Sequence, residues 1–154
     1  MKSAGCAMKK KLNVLFLCTG NSCRSQMAET WARHLKGDAI EAFSAGITPV
    51  RVNQIAVEVM AEAGVDISKQ ISKHVSGLAG IDFDYVVTVC DNAKEHCPVF
   101  PRKCRMVHKS FADPSFLTGT REEILNAFRK TRDEIKAFIE TMPQSLYDWN
   151  NDDS

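Results

Sequence analysis

Leu12-Asn13-Val14-Leu15-Phe16-Leu17-Cys18-Thr19-Gly20-Asn21-Ser22-Cys23-Arg24-Ser25 decides how this chain is read. The run from Leu12 to Leu17 has the length and apolar character of a buried strand. It stops at a cysteine, small turn-forming residues follow, and a helical pattern begins with Met27, Ala28, Trp31, Ala32 and Leu35 on one face. A tight loop feeding a helix turns successive backbone N–H groups inward, and the helix dipole adds partial positive charge. Such a nest suits a tetrahedral oxyanion, held here by Thr19, Gly20, Asn21, Ser22, Cys23 and Arg24. Arg24, on the first helical turn, can grip two oxygens in a fork. Cys18 at the floor feels the same field, which favours its thiolate and makes it a nucleophile. Ser25 stands where it can hydrogen-bond that sulfur. Gly20 allows close backbone approach, and Asn21 tolerates the left-handed conformation that a nest needs. The competing reading is a buried strand cysteine beside a solvated arginine. The strand before, the helix after, and Arg and Ser at the two required positions count against it.

Working outward, Gly37 is placed to stop the first helix, and Ala39 to Phe43 reads as a second strand. Asn53 can cap a second helix with Ile55, Ala56, Val59, Met60 and Ala63 inward and Gly64 at its end. Phe83 to Val89 is a β-branched third strand, and Arg105 to His108 a short fourth. Thr120 and Glu123 form a capping box that opens a long helix with Ile124, Leu125, Phe128, Ile135, Phe138 and Ile139 inward and Pro143 after it. Strands alternating with helices give an α/β fold: an open, mostly parallel, four-stranded twisted sheet with helices on both faces. Ligands of such sheets bind beyond the carboxyl ends of the strands, where Cys18 lies. Residues 1–10 read as a flexible basic leader, 11–143 as a single catalytic domain, and 144–154 as a polar, acidic tail in which Leu146, Tyr147 and Trp149 could dock.

Composition narrows the function. With 20 Lys and Arg against 19 Asp and Glu, the net charge of +1 gives no footprint for nucleic acid or anionic lipid. No apolar run approaches the ~18 residues of a membrane span. The first eleven residues are basic but lack the apolar core of a signal peptide, so the expected compartment is the cytoplasm. Six cysteines in 154 residues are too few for a disulfide scaffold, which runs above ~8–10%. They are read as packing, metal-binding or reactive. Cys23 and Cys104 suit packing, and Cys6 falls in the leader.

Two more cysteines stand out in Val89-Cys90-Asp91-Asn92-Ala93-Lys94-Glu95-His96-Cys97-Pro98. Cys90 ends the third strand, at the same sheet edge as Cys18. Were residues 90–97 an unbroken helix, Cys97 would lie about 10.5 Å along its axis. A disulfide needs Cα atoms ~4.4–6.8 Å apart, so the two can join only if the segment loops or unwinds. Asp91-Asn92 and Pro98 make that segment soft. A segment that changes shape on oxidation is a redox device. The rivals are a zinc site from Cys90, Cys97, Cys104 and His96 or His108, whose spacings are unlike those of common zinc ribbons, and a non-enzymatic redox sensor.

Cys18 to Ser25 matches the Cys-x5-Arg-Ser loop of the low-molecular-weight tyrosine phosphatase fold, and Ser44-Ala45-Gly46 and Asp113-Pro114 fall where that family has such motifs. With Cys90 and Cys97 added, the chain resembles the thioredoxin-coupled arsenate reductases of that fold. The resemblance implies that Asp113 is the general acid. It implies a relay from Cys18 to Cys90 to Cys97 that reduces arsenate to arsenite, serves arsenic detoxification, and is regenerated by thioredoxin. Phosphate or sulfate would compete for the loop. No tightly bound cofactor is implied, and the expected state is a monomer. Many relatives hold potassium beside the loop through residues matching Asn21 and Glu29 and two more, which here are Ile71 and Lys73. The expectation is that the cation site is absent and that the Lys73 ammonium pairs with Glu29. The alternative function is a phosphomonoesterase of the same fold. Ser115 stands where the phosphatases place a substrate-stacking tyrosine, which argues against phosphotyrosine.

Overall fold

The computed structural model describes residues 11–101 and 103–149. The expected leader, with Cys6, lies outside the described residues. Strand β1 spans Leu12–Cys18 and leads through the loop into helix α1, Arg24–Lys36. β2 (Ile40–Gly46) and α2 (Gln54–Glu62) follow, then β3 (Tyr85–Thr88), a short helix α3 (Asp91–Glu95), β4 (Arg105–His108), the long helix α4 (Arg121–Glu140) and α5 (Gln144–Tyr147). The strands form one parallel sheet in the order β2-β1-β3-β4. β1 has a neighbour on each side, and Val14 to Leu17 are fully buried. That is why this strand is continuously apolar rather than alternating.

α1 packs on β1 and β2 and against α4, and α4 also packs on α2. Leu125, Phe128, Ile135 and Ile139 of α4 are buried, while Ile124 and Phe138 line the margin. The capping box of α4 forms in full, with Thr120 Oγ1 accepting from Glu123 N and the Glu123 side chain accepting from Thr120 N. Phe43 of β2 meets Phe83 edge-on at 5.4 Å, and Phe83 meets Phe100 at 6.3 Å, so loop segments also close over the sheet. No helix among the described residues is long and apolar enough to cross a membrane.

Three sequence expectations shift. β2 runs on to Gly46, because Gly46 stays in register with Cys18. Gly37 remains right-handed at φ −61°, whereas Gly64 makes the left-handed exit from α2 at φ +87°. Of the three tail residues expected to dock, Leu146 is fully buried and Trp149 packs against the core, whereas Tyr147 is exposed.

Candidate active site

The loop after β1 is turned inside out relative to a solvent loop. Its carbonyls face an outer strap, residues 47–53: Ile47 N donates to Cys18 O, Thr48 N to Thr19 O, Val50 N to Gly20 O and Asn53 N to Ser22 O, at 2.8–3.1 Å. Asn21 O accepts from Gln26 Nε2 at 3.0 Å and Ser72 Oγ at 2.6 Å, and Cys23 O from Met27 N at 2.9 Å. With every carbonyl from 18 to 23 committed outward, the N–H groups are left for the concave side. Asn21 takes the left-handed conformation, φ 49°. A side chain at Gly46 would place its Cβ 2.7 Å from Thr19 O and 2.9 Å from Asn21 N. At Gly20 the nearest atom would be the end of the Val50 side chain at 3.0 Å. The close approach that the sequence assigned to Gly20 is therefore most stringent at Gly46.

Cys18 Sγ lies 2.9 Å from Ser25 Oγ and accepts from Asn21 N at 3.3 Å. Asn21 Nδ2 donates to Ser25 Oγ at 2.8 Å, which leaves the Ser25 hydroxyl proton free to point at the sulfur. Cys90 is served in the same way. Asn92 Nδ2 donates to Thr19 Oγ1 at 2.9 Å, and Thr19 Oγ1 lies 3.3 Å from Cys90 Sγ. Each thiol thus receives a hydroxyl that an asparagine amide orients. Val89 N donates to Leu17 O at 2.9 Å, so Cys18 and Cys90 leave neighbouring strand ends. Both line one cleft of about 760 Å³ with Arg24, Asp113, Val50 and Phe116.

Arg24 Nη2 is 3.1 Å from Asp113 Oδ2, and Nη1 donates to Phe111 O at 3.0 Å. Asp113 Oδ1 also accepts from Ser115 N and Oγ, at 2.9 and 2.6 Å. The two arms of the Arg24 fork are thus taken by the Phe111 carbonyl and the Asp113 carboxylate, groups with which an anion in the cleft would compete.

Cys97 stands apart from this cleft. Cys90 caps α3, its Sγ accepting from Ala93 N at 3.4 Å, and His96 closes the helix. The helix thus lies between the two cysteines in the chain. At five residues it is far below the ~12–15 that sustain an isolated helix. Burial, and then the neighbouring Cys104, push the Cys97 thiol up to about 11. Its alkylation by iodoacetamide is therefore expected to climb about tenfold per pH unit from pH 7 to pH 10. Peptide mapping checks this, and a plateau below pH 9 would contradict it. Burial, followed by the Asp113 charge, drives the Cys23 thiol far above the ordinary cysteine range, which fits packing rather than redox work. Cys104 is buried just before β4. Among the described residues no three His, Cys, Asp or Glu side chains converge as a metal site.

The expected Lys73–Glu29 pair is not formed. The Lys73 ammonium donates to Ile71 O at 3.2 Å, and its backbone N–H to Asn21 Oδ1 at 3.0 Å. Glu29 is buried and takes its hydrogen bonds from Arg33, one turn along the same helix, and from Ser44 Oγ. Ser44 in turn accepts from Asn21 Nδ2 at 3.0 Å. Arg33 wins because i,i+4 spacing on α1 places it beside Glu29 without a tertiary constraint. Lys73→Ala should leave the denaturation midpoint within about 0.5 kcal/mol of the parent. Arg33→Gln should lose about 1–3 kcal/mol by stripping the cation from a buried carboxylate. Urea titration separates the two, and the reverse order would restore Lys73.

A family model, that of low molecular weight phosphotyrosine protein phosphatase, matches residues 13–151. The arsenate reductase of Halalkalibacterium halodurans is 45% identical over 138 residues, covering 90% of this chain and 99% of that protein. A solved structure of an arsenate reductase in the oxidized state superimposes with a TM-score of 0.70 at 29% identity, covering 90% of this chain and 99% of that one. A thioredoxin-dependent arsenate reductase of Corynebacterium glutamicum gives 0.60 at 25% identity, over 90% of this chain and 66% of that one. A nest built on Cys18 and a match that runs almost end to end lead to one assignment: the chain belongs to the low molecular weight phosphotyrosine protein phosphatase family.

Proposed function

We infer that this protein reduces arsenate to arsenite through three thiols. The observation that carries the reading is the second thiol, Cys90, in the same cleft as the loop cysteine and at the head of a helix short enough to unwind. The named activity of the 45%-identical relative supports it. Arsenate binds the N–H nest and takes the fork of Arg24. Cys18 thiolate attacks arsenic, and a hydroxyl leaves as water with the proton supplied by Asp113. Cys90 then attacks Cys18 Sγ. The sulfur–arsenic bond breaks, its electron pair stays on arsenic, and arsenite departs as arsenic(III). Cys97 attacks Cys90 Sγ and expels Cys18 as thiolate. Two thiols have become one disulfide, which balances the two electrons gained by arsenic.

A dithiol reductant of the thioredoxin class restores the pair by exchange through a mixed disulfide. The relative named as thioredoxin-dependent supports that choice. The protein acts as a monomer in the cytoplasm, where thiols are kept reduced. Phosphate and sulfate, as tetrahedral anions, compete for the nest. No resident cofactor enters these steps. With Arg33 beside Glu29, potassium is not required.

A phosphatase would use the nest, Arg24 and Asp113, all of which converge here, yet it has no use for Cys90. Cys90→Ser is therefore expected to lose sustained arsenite production with thioredoxin, thioredoxin reductase and NADPH, while keeping slow hydrolysis of p-nitrophenyl phosphate. Arsenate turnover unchanged in Cys90→Ser would defeat the relay.

A further inference from the structure

His108 has no part in the steps above, yet it is fixed on both sides. It ends β4, in register with Thr88 of β3. Its Nδ1 lies 2.7 Å from Thr88 Oγ1, and its Nε2 lies 2.9 Å from Asp91 Oδ1. A carboxylate only accepts, so Nε2 donates to Asp91. The imidazole is largely covered, at 16% exposure, whereas the Asp91 side chain is 78% exposed. Asp91 is the first residue of α3 and follows Cys90 directly. One ring therefore joins the rigid sheet to the first turn of the segment that must change shape.

We propose that the His108–Asp91 pair is the latch that holds residues 91–95 helical while the thiols are reduced, and so sets how readily Cys97 reaches Cys90. The inference rests on the relay proposed above. Cys90 caps α3 at its head and Cys97 follows the closing residue His96, so joining them at the ~4.4–6.8 Å between Cα atoms that a disulfide needs draws the two ends of the helix together and takes residues 91–96 out of helical geometry. The Asp91 backbone conformation that aims its carboxylate at His108 is lost with the first turn. The pair is thus made in the dithiol state and broken in the disulfide state. A contact present on one side of an equilibrium biases it towards that side. Thr88 holds the ring in place, because a His108 free to follow Asp91 would restrain nothing. His108 is accordingly a positioning residue, acting through Asp91 on the Cys90–Cys97 couple.

The test uses the full chain in a Cys18→Ser background, which keeps the first nucleophile out of the exchange. The protein is equilibrated with glutathione buffers. One glutathione disulfide and the Cys90 and Cys97 thiols give the protein disulfide and two glutathione thiols. Peptide mapping measures the equilibrium constant. His108→Ala and Asp91→Ala should each shift it about threefold to tenfold towards the disulfide, where tenfold corresponds to ~30 mV. The double variant should shift no further than either single one, as expected for partners in one contact. His108→Gln, whose amide can still donate to Asp91, should lie nearer the parent. Equal constants in all variants, or additive shifts in the double variant, would overturn the latch. Asp91→Ala alters an exposed side chain, so the cycle keeps a folded member even if His108→Ala unfolds. If the parent forms no Cys90–Cys97 disulfide while folded and binding phosphate, the relay itself is wrong and the latch falls with it.

Discussion

Cys97→Ser protein should release one arsenite per molecule and then stop. In the proposed relay Cys18 and Cys90, which share the cleft, suffice for the first reduction. What accumulates is a Cys18–Cys90 disulfide between residues only 2% and 4% exposed. A protein dithiol cannot reach either sulfur there. Cys97 supplies, by unwinding, an intramolecular nucleophile of high effective molarity. Without it steady-state turnover with thioredoxin should fall by ~10³-fold or more. A burst of one equivalent, the loss of two thiols, and a Cys18–Cys90 link found by peptide mapping make up the expected result. Steady turnover of Cys97→Ser at the parent rate would refute the proposed exit route.

Gly46→Ala is expected to damage the nest without touching any group that reacts. The new Cβ would meet Thr19 O at 2.7 Å and Asn21 N at 2.9 Å, both backbone atoms of the loop. Backbone cannot rotate away as a side-chain tip can, so the loop must shift by several tenths of an ångström. Overpacking of this kind costs about 1–3 kcal/mol. Function suffers as well: misplacing the N–H donors and Cys18 by about 1 Å costs ~10²-fold in rate, so a shift of several tenths should cost on the order of tenfold. Isothermal titration with phosphate and the arsenite assay would report the loss directly. Parental affinity and rate in a folded Gly46→Ala protein would show that the close approach is unimportant. Gly20→Ala is the natural control, because its Cβ meets side-chain atoms alone, the movable end of Val50 at 3.0 Å and Ser22 Oγ at 3.5 Å, and no backbone.

The local chemistry was legible in the sequence because it is built from adjacent residues. An apolar strand, a cysteine, a left-handed asparagine and an arginine on the first turn of a helix need only short-range geometry to make a nest. The helix caps at Asn53 and Thr120 were readable for the same reason. The strap at 47–53 was not, since residues of no special type hold the loop through backbone N–H groups alone. Nor was the partner of Glu29. An alignment of positions suggested Lys73, but packing turned that ammonium to Ile71 O and left Arg33 in place.

The sequence determined by itself that this is a parallel α/β chain with a loop shaped for an anion after its first strand, a cysteine at the floor of that loop, and a further thiol at the end of the third strand with another seven residues on. Periodicity and turn chemistry are encoded within a few residues of each position. Only the tertiary structure decided which groups meet across the sheet: Thr19 with Cys90, Arg24 with Asp113, and His108 with Asp91. Those pairs are 71, 89 and 17 residues apart. Strand order and register bring them together, and these are set by burial over the whole core rather than by any one stretch of chain.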